Sequence, residues 1–210
     1  MQRRGPKVQS GTRRHWRGAN ALPHSHQRVH QAPSKLLVLQ QRTMKAMQAI
    51  ASGAWIVSAG WITESLKQKR IIDETSFEVV ATNKTGREEE DMYAPRRARL
   101  DAQAHQGRCQ LFRAHSVVFY GDFPSPGPQK SQLAFLVSEA GGKVVQDLEE
   151  LKSEITSENK VIVVTSAQEV ENLRAGGFNE VDYHASLVDS YWVMDSITNY
   201  RVETHNKSLH

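Results

Sequence analysis

The sequence predicts an α/β protein: a three-layer domain with a parallel β-sheet flanked by helices, present once complete, in the second half, and once in part, in the first. Three observations carry the prediction. A ten-residue pattern ending in an amphipathic helix occurs twice, and in the second half short strands alternate with helical segments. Val161-Ile162-Val163-Val164 is a continuous β-branched run, the composition of a strand buried on both faces.

The repeated pattern organises the chain. Val57-Ser58-Ala59-Gly60-Trp61-Ile62-Thr63-Glu64-Ser65-Leu66 returns as Val188-Asp189-Ser190-Tyr191-Trp192-Val193-Met194-Asp195-Ser196-Ile197. Trp, an acid, Ser and an aliphatic residue keep their order, which marks an internal repeat rather than two unrelated core tryptophans. In each copy an apolar run ends at a capping residue, Ser58 or Asp189, whose side-chain oxygen can accept from a first-turn N–H. Trp61, Ile62 and Leu66, and likewise Trp192, Val193 and Ile197, then make one apolar face. Ser65 and Ser196, four residues after each Trp, are small enough to let the helix sit close to a neighbour.

In chain order, residues 1–34 are rich in Arg, His, Gln, Gly and Pro and lack apolar periodicity, so they read as a disordered basic arm. His24, His26 and His30 have ligand-like spacing, but no acid or Cys lies nearby, and Trp16 is isolated. A partial unit follows over 35–81. Leu36–Leu39 is a short apolar run, and Arg42–Ile50 reads as a helix with Met44, Met47 and Ile50 on one side, closed by Ser52-Gly53. Trp55-Ile56-Val57 reads as a short buried strand feeding the first repeat helix, and Ile71-Ile72 with Phe77–Val80 as an extended exit. Residues 82–107 lose apolar periodicity and read as a linker. It passes through Glu88-Glu89-Glu90-Asp91 and Arg96-Arg97-Ala98-Arg99, and the second cluster also fits a nuclear-import patch.

Residues 108–210 form the complete unit. Val117–Tyr120 is a strand, and Gln132–Ala140 a helix ending at Gly141-Gly142. Lys143–Val145 is a second strand and Val161–Val164 a third; Ser166–Leu173 is a second helix, and Ala185–Val188 the last strand before the Trp192 helix. The expected order is βαββαβα, and strands separated by helices imply a parallel sheet covered on both faces.

Composition narrows the function classes. A 39% hydrophobic, 24% charged chain is ordinary for a globular protein. One cysteine, Cys109, excludes an internal disulfide framework and a Cys-based zinc site, and fits a reducing nuclear or cytoplasmic compartment. No apolar run approaches the roughly 20 residues that span a bilayer, so no membrane partner is expected. The net charge of +4 is uneven: residues 1–42 carry nine Lys or Arg and no acid, leaving 18 basic against 23 acidic residues in the remainder. The arm therefore suggests weak nucleic-acid contact beside the plainer reading of a solvated tail.

This order of elements, with Gly141-Gly142 after the first helix and Trp192 in the last, resembles the BRCT domain, and two such units with a linker resemble a tandem BRCT pair. A closer likeness to one such pair rests on Arg42-Thr43-Met44-Lys45, Ile50–Trp55, Trp61–Ser65, Phe77-Glu78-Val79, Pro95–Arg99 and Phe119–Phe123 with Gln132-Leu133. It runs from about residue 40 to 204 and includes Trp192 and Asp195-Ser196. The resemblance implies a nuclear adaptor of the DNA-damage response and double-strand-break repair that reads phosphoserine peptides on partner proteins. A Phe three residues after the phosphoserine would enter the groove between the repeats.

By the same resemblance Lys45 is the phosphate-binding lysine and Thr43 a nearby hydroxyl, Arg42 holds the peptide backbone, and Met47 and Met194 line the Phe pocket. The chemistry is coherent. A compact dianion suits an ammonium, a hydroxyl and a backbone N–H at a helix N-terminus, and Met suits an adaptable apolar pocket. Read without the resemblance, Lys45 is a solvated helix lysine and both methionines are core. The family's ubiquitin ligases act through a RING domain that one cysteine cannot supply, so this chain is expected to be a binding module and not an enzyme. Asp122, His115, Ser116 and His184 have no triad, metal or P-loop spacing, and no cofactor is implied.

Two departures qualify the match. The first unit lacks the opening strand, helix and strand; Ser10-Gly11 is the sole Ser-Gly pair upstream, but no apolar strand precedes it, so it takes no phosphate role. A half-sheet should leave open edges and an exposed apolar face. The loop Pro124-Ser125-Pro126-Gly127-Pro128 is also longer and richer in Pro than the family pattern. The competing reading is a nucleic-acid-binding or scaffold fragment without phosphate readout.

Overall fold

Two central strands set the architecture of the second half. β3 (His115–Phe119) and β5 (Lys160–Val164) pair in parallel from His115 with Lys160 to Phe119 with Val164. β4 (Lys143–Val144) lies outside β3 and β6 (Ala185–Val188) outside β5, giving an all-parallel sheet of order β4-β3-β5-β6. Neighbouring parallel strands need crossovers, and α4 (Lys130–Glu139), α5 (Leu148–Ser153) and α6 (Val170–Ala175) supply them before α7 (Ser190–Asn199) ends the unit. Strand side chains alternate between two cores. Val117, Phe119, Ile162 and Val164 join Leu133, Leu136, Val137, Trp192, Val193 and Ile197 from α4 and α7, while Val118, Val161 and Val163 join Leu151, Val170, Leu173, Phe178 and Tyr183. The computed structural model describes residues 38–39, 41–82, 93–124 and 126–204, all within the unit Pro33–His210. The three-layer α/β class is the one the sequence predicts.

The order is βαβαβαβα, one helix more than expected. α5 escapes the sequence because six residues with Leu151 alone buried show no period; its one signal is Asp147, which accepts from Glu150 N at 2.8 Å. α6 begins at Val170 rather than Ser166 because Ser166–Glu169 is spent in a turn, with Glu169 N donating to Ser166 O at 3.0 Å.

In the first half β1 (Val38–Leu39) pairs in parallel with β2 (Ala81–Thr82), two residues each, around α1 (Met44–Ala51) and α2 (Ala59–Gln68). The buried strand expected at Trp55–Val57 is reduced to one antiparallel bridge, Val57 to Glu78, and Trp55 is exposed on one side with the Arg99 guanidinium 3.9 Å from its ring centre. Phe77 ends a 3₁₀ turn, Thr75–Phe77, rather than an extended segment.

The internal repeat is real at the level of hydrogen bonds. Trp61 Nε1 donates to Ile72 O at 2.8 Å and Trp192 Nε1 to Glu203 O at 2.9 Å, each eleven residues on. Ser65 Oγ accepts from Ile72 N at 3.4 Å and Ser196 Oγ from Glu203 N at 3.1 Å. In both copies the Trp and the Ser therefore hold the C=O and the N–H of one residue in the segment that leaves the helix. Both helices stop at a left-handed residue, Lys69 or Tyr200. The caps differ: Asp189 accepts from Trp192 N at 3.1 Å, whereas Ser58 makes no side-chain cap bond.

The expected linker contains α3 (Ala94–Ala104), with Pro95 in its first turn and Ala94, Ala98 and Ala102 buried. Its period of four is written in alanine, too small to register as an apolar stripe beside four charged residues. Arg96-Arg97-Ala98-Arg99 is accordingly not a free basic patch. Arg96 and Arg99 bind the buried Glu78 carboxylate at 2.7 and 2.8 Å, Arg97 donates to Asn199 O, and Ala98 is buried. His24, His26, His30, Trp16, Ser10-Gly11 and the acidic run Glu88–Asp91 lie outside the described residues. No described helix is long and apolar enough to cross a membrane.

Candidate functional site

Thr43 has extended backbone and its Oγ1 accepts from Ala46 N at 3.2 Å, so it caps α1. That cap fixes where the helix starts, and hence places Arg42 just before it and Lys45 at its second position. Lys45 is exposed beside the positive end of the helix. Met47 and Ile50 point the other way into the core shared with α4 and α7. Arg42 Nη2 meets Asp195 Oδ1 of α7 at 2.7 Å, and Met194, one residue earlier, packs against the cluster that contains Met47.

Of the five residues singled out from the sequence, Arg42, Met47 and Met194 are gathered at the α1–α7 junction. Thr43 and Lys45 lie at the exposed start of α1. Thr43's hydroxyl already serves the helix, and Met47 is buried in core. Asp195 is the residue the sequence reading left without a role. Its signal was present, since the acid three residues after the Trp occurs in both repeats; in the first copy that acid, Glu64, is turned to Lys67 at 3.4 Å instead.

α3 ties the junction from below. Asp101 accepts from Gln110 N at 2.6 Å and from the Tyr200 hydroxyl. Burial first, and then the Asp101 carboxylate, push the Tyr200 phenol above its ordinary range. Burial likewise raises the thiol of Cys109 beside it.

The residues considered for catalysis do not assemble. His115 is buried against Phe112 and Trp192, while Ser116 Oγ donates to Glu154 at 3.1 Å and accepts from Asn159 at 2.8 Å. Asp122 lies at the opposite end of β3 from His115. Among the described residues no three His, Cys, Asp or Glu side chains cluster as metal ligands.

The fold and the sequence similarity mark a BRCT region. Its fold is shared with the crystal structure of the BRCT5-BRCT6 domains of S. pombe Brc1, at a TM-score of 0.51 and 20% identity over 81% of each chain. In sequence it is similar to the breast cancer type 1 susceptibility protein homolog of Mus musculus, 30% identical over 161 residues and 77% of this chain. It is similar also to the BRCA1-associated RING domain protein 1 of Arabidopsis thaliana, 30% identical over 181 residues. The chain spans 8% of the mouse protein and 24% of the Arabidopsis protein. No protein-family model matches it.

Proposed function

We propose that this chain is a phosphoserine-peptide-binding adaptor module of a nuclear DNA-damage-response and double-strand-break-repair protein, and is not itself an enzyme. The observation that carries the reading is the α1–α7 junction. It pairs Arg42 with Asp195, Met47 and Met194 belong to the apolar cluster beneath it, and Lys45 is exposed on the first turn of α1. In this reading the Lys45 ammonium and the positive end of α1 hold the phosphate, with the Thr43 hydroxyl nearby, a charge-assisted arrangement suited to a dianion. Arg42, held in place by Asp195, contacts the peptide backbone. A Phe side chain three residues on packs against Met194 and displaces or abuts Met47. The module divides as a partial first repeat over 35–81, a linker over 82–107 and a complete second repeat over 108–210. Its partners are phosphorylated nuclear proteins of the damage response. Any ligase activity belongs to a longer parent protein.

The test is fluorescence anisotropy of the 210-residue chain with a labelled peptide carrying phosphoserine and Phe three residues later, beside its unphosphorylated twin. Phosphate-dependent binding that Lys45→Ala weakens by about tenfold or more, the scale of one lost charge-assisted contact, supports the reading. Equal weak binding of both peptides overturns it and leaves a scaffold fragment. Steep salt dependence without phosphate preference points instead to nucleic-acid contact through the basic arm.

A further inference from the structure

The four-stranded sheet of the complete second repeat changes direction between its two central strands. From β3 the chain leaves through α4, whose Leu133, Leu136 and Val137 fill one core, and from β5 through α6, whose Val170 and Leu173 fill the other. The two helices depart to opposite faces, so a crevice opens outside the carboxyl ends of the strands. In open α/β sheets that crevice is where ligands bind. Here it is a cleft of about 220 Å³, lined by Asp122 beyond β3, Thr165 beyond β5 and Asp189 beyond β6.

The walls of the cleft are apolar, and its few polar groups are distinctive. Phe123, Pro128 and the 58% exposed Tyr191 stand around it. Thr165 is 1% exposed, and its Oγ1 has no hydrogen-bond partner among the described residues. A buried hydroxyl left without a partner costs stability that a bound polar group restores. The charge is one-sided: Asp122 and Asp189 are acidic, Glu169 lies against Gly121 beside them, and no described residue lining the cleft is basic. α7 begins here with its positive end, but Asp189 caps it by accepting from Trp192 N. Two full negative charges outweigh the roughly half charge of a helix terminus, which disfavours an anion.

We infer that this cleft is a recognition pocket for an arginine side chain of a partner polypeptide. The apolar stem of arginine suits Phe123 and Pro128, and its planar guanidinium suits both the Tyr191 ring and a fork of acceptors formed by the carboxylates and Thr165 Oγ1. Lysine fits less well, because its ammonium has no face to stack and is more strongly hydrated. Tyr191 shares a face of α7 with Met194 and Asp195, three and four residues on, so the pocket continues the α1–α7 junction. That the arginine comes from a partner rests on the peptide-binding reading of that junction; the pocket itself needs no phosphate.

The test is amide NMR of the full chain titrated with N-acetyl-arginine amide and, in parallel, with its citrulline analogue, which keeps the shape and loses the charge. Saturating shifts are expected at Asp122, Thr165 and Tyr191, with arginine binding at least about fivefold more tightly than citrulline. Asp122→Asn with Asp189→Asn removes both charges while asparagine keeps the helix cap, and should weaken arginine by about tenfold or more. Thr165→Val should weaken arginine severalfold yet leave the urea midpoint unchanged or raised, since the deleted hydroxyl had no partner. Equal binding of citrulline, shifts that survive the paired substitution, or no shift at these residues up to tens of millimolar ligand overturns the pocket. Because the probe carries no phosphate, that failure leaves the Lys45 test standing, and failure of the Lys45 test leaves the pocket standing. Glutamine in place of the six arginines of residues 1–34 should leave the ligand-free signals where they are. Movement of the Asp122, Thr165 and Tyr191 signals would make the chain's own arm the occupant and overturn the partner.

Discussion

Asp195 Oδ1 accepts from Arg42 Nη2 at 2.7 Å, joining residues 153 positions apart across the α1–α7 junction. The arginine side chain is 41% exposed and the aspartate 17%, so water screens much of the attraction. The bond serves position more than stability. Asp195→Asn is expected to change unfolding free energy by about 1 kcal/mol or less, yet to weaken phosphopeptide binding severalfold by releasing Arg42. Urea denaturation and peptide anisotropy on the same variant separate the two effects; a large stability loss with unchanged affinity would refute the positioning role.

Glu78 carries a heavier structural duty. Its side chain is 4% exposed and receives Arg96 at 2.7 Å and Arg99 at 2.8 Å. Glu78→Ala strands the less exposed of these, Arg99, without its carboxylate, and loss of one partner of such a buried pair costs about 3–5 kcal/mol. A urea midpoint lowered on that scale, together with faster proteolysis between α2 and α3, is the expected result.

The two repeats should respond unequally to equivalent truncations. Ile197→Ala opens a cavity in a closed core and should cost about 2–5 kcal/mol. Leu66→Ala removes a side chain already largely in water and should stay within about 0.5 kcal/mol. Comparable losses in urea unfolding would mean that α2 is covered in solution, for example by self-association.

Tyr200 makes stability fall at high pH. Its phenol is raised in the folded chain by burial and by Asp101, whereas the unfolded phenol ionises near its ordinary value of 10.0. The folded state thus keeps a proton that the unfolded state gives up. Its contribution is complete below pH 10 and declines as pH rises beyond that value toward the folded-state pKa. Thermal unfolding from pH 8 to 11 should show the decline, and Tyr200→Phe should flatten it.

Much of this protein was legible in its residue order. The β-branched run at Val161–Val164, the Gly141-Gly142 stop and the doubled Trp61 and Trp192 helices specified a parallel sheet, its covering helices and an internal repeat, because period, branching and capping are local properties. α3 was not legible, since its buried stripe is alanine and its helix is held by distant partners at Glu78 and Asn199. The five candidate residues were chosen by resemblance; that Arg42, Met47 and Met194 share one junction depends on α1 packing against α7. The sequence by itself determined that α2 and α7 are the same helix. Only the tertiary structure decided that one is buried and the other open, because burial depends on the neighbour that arrives and not on the helix that waits for it.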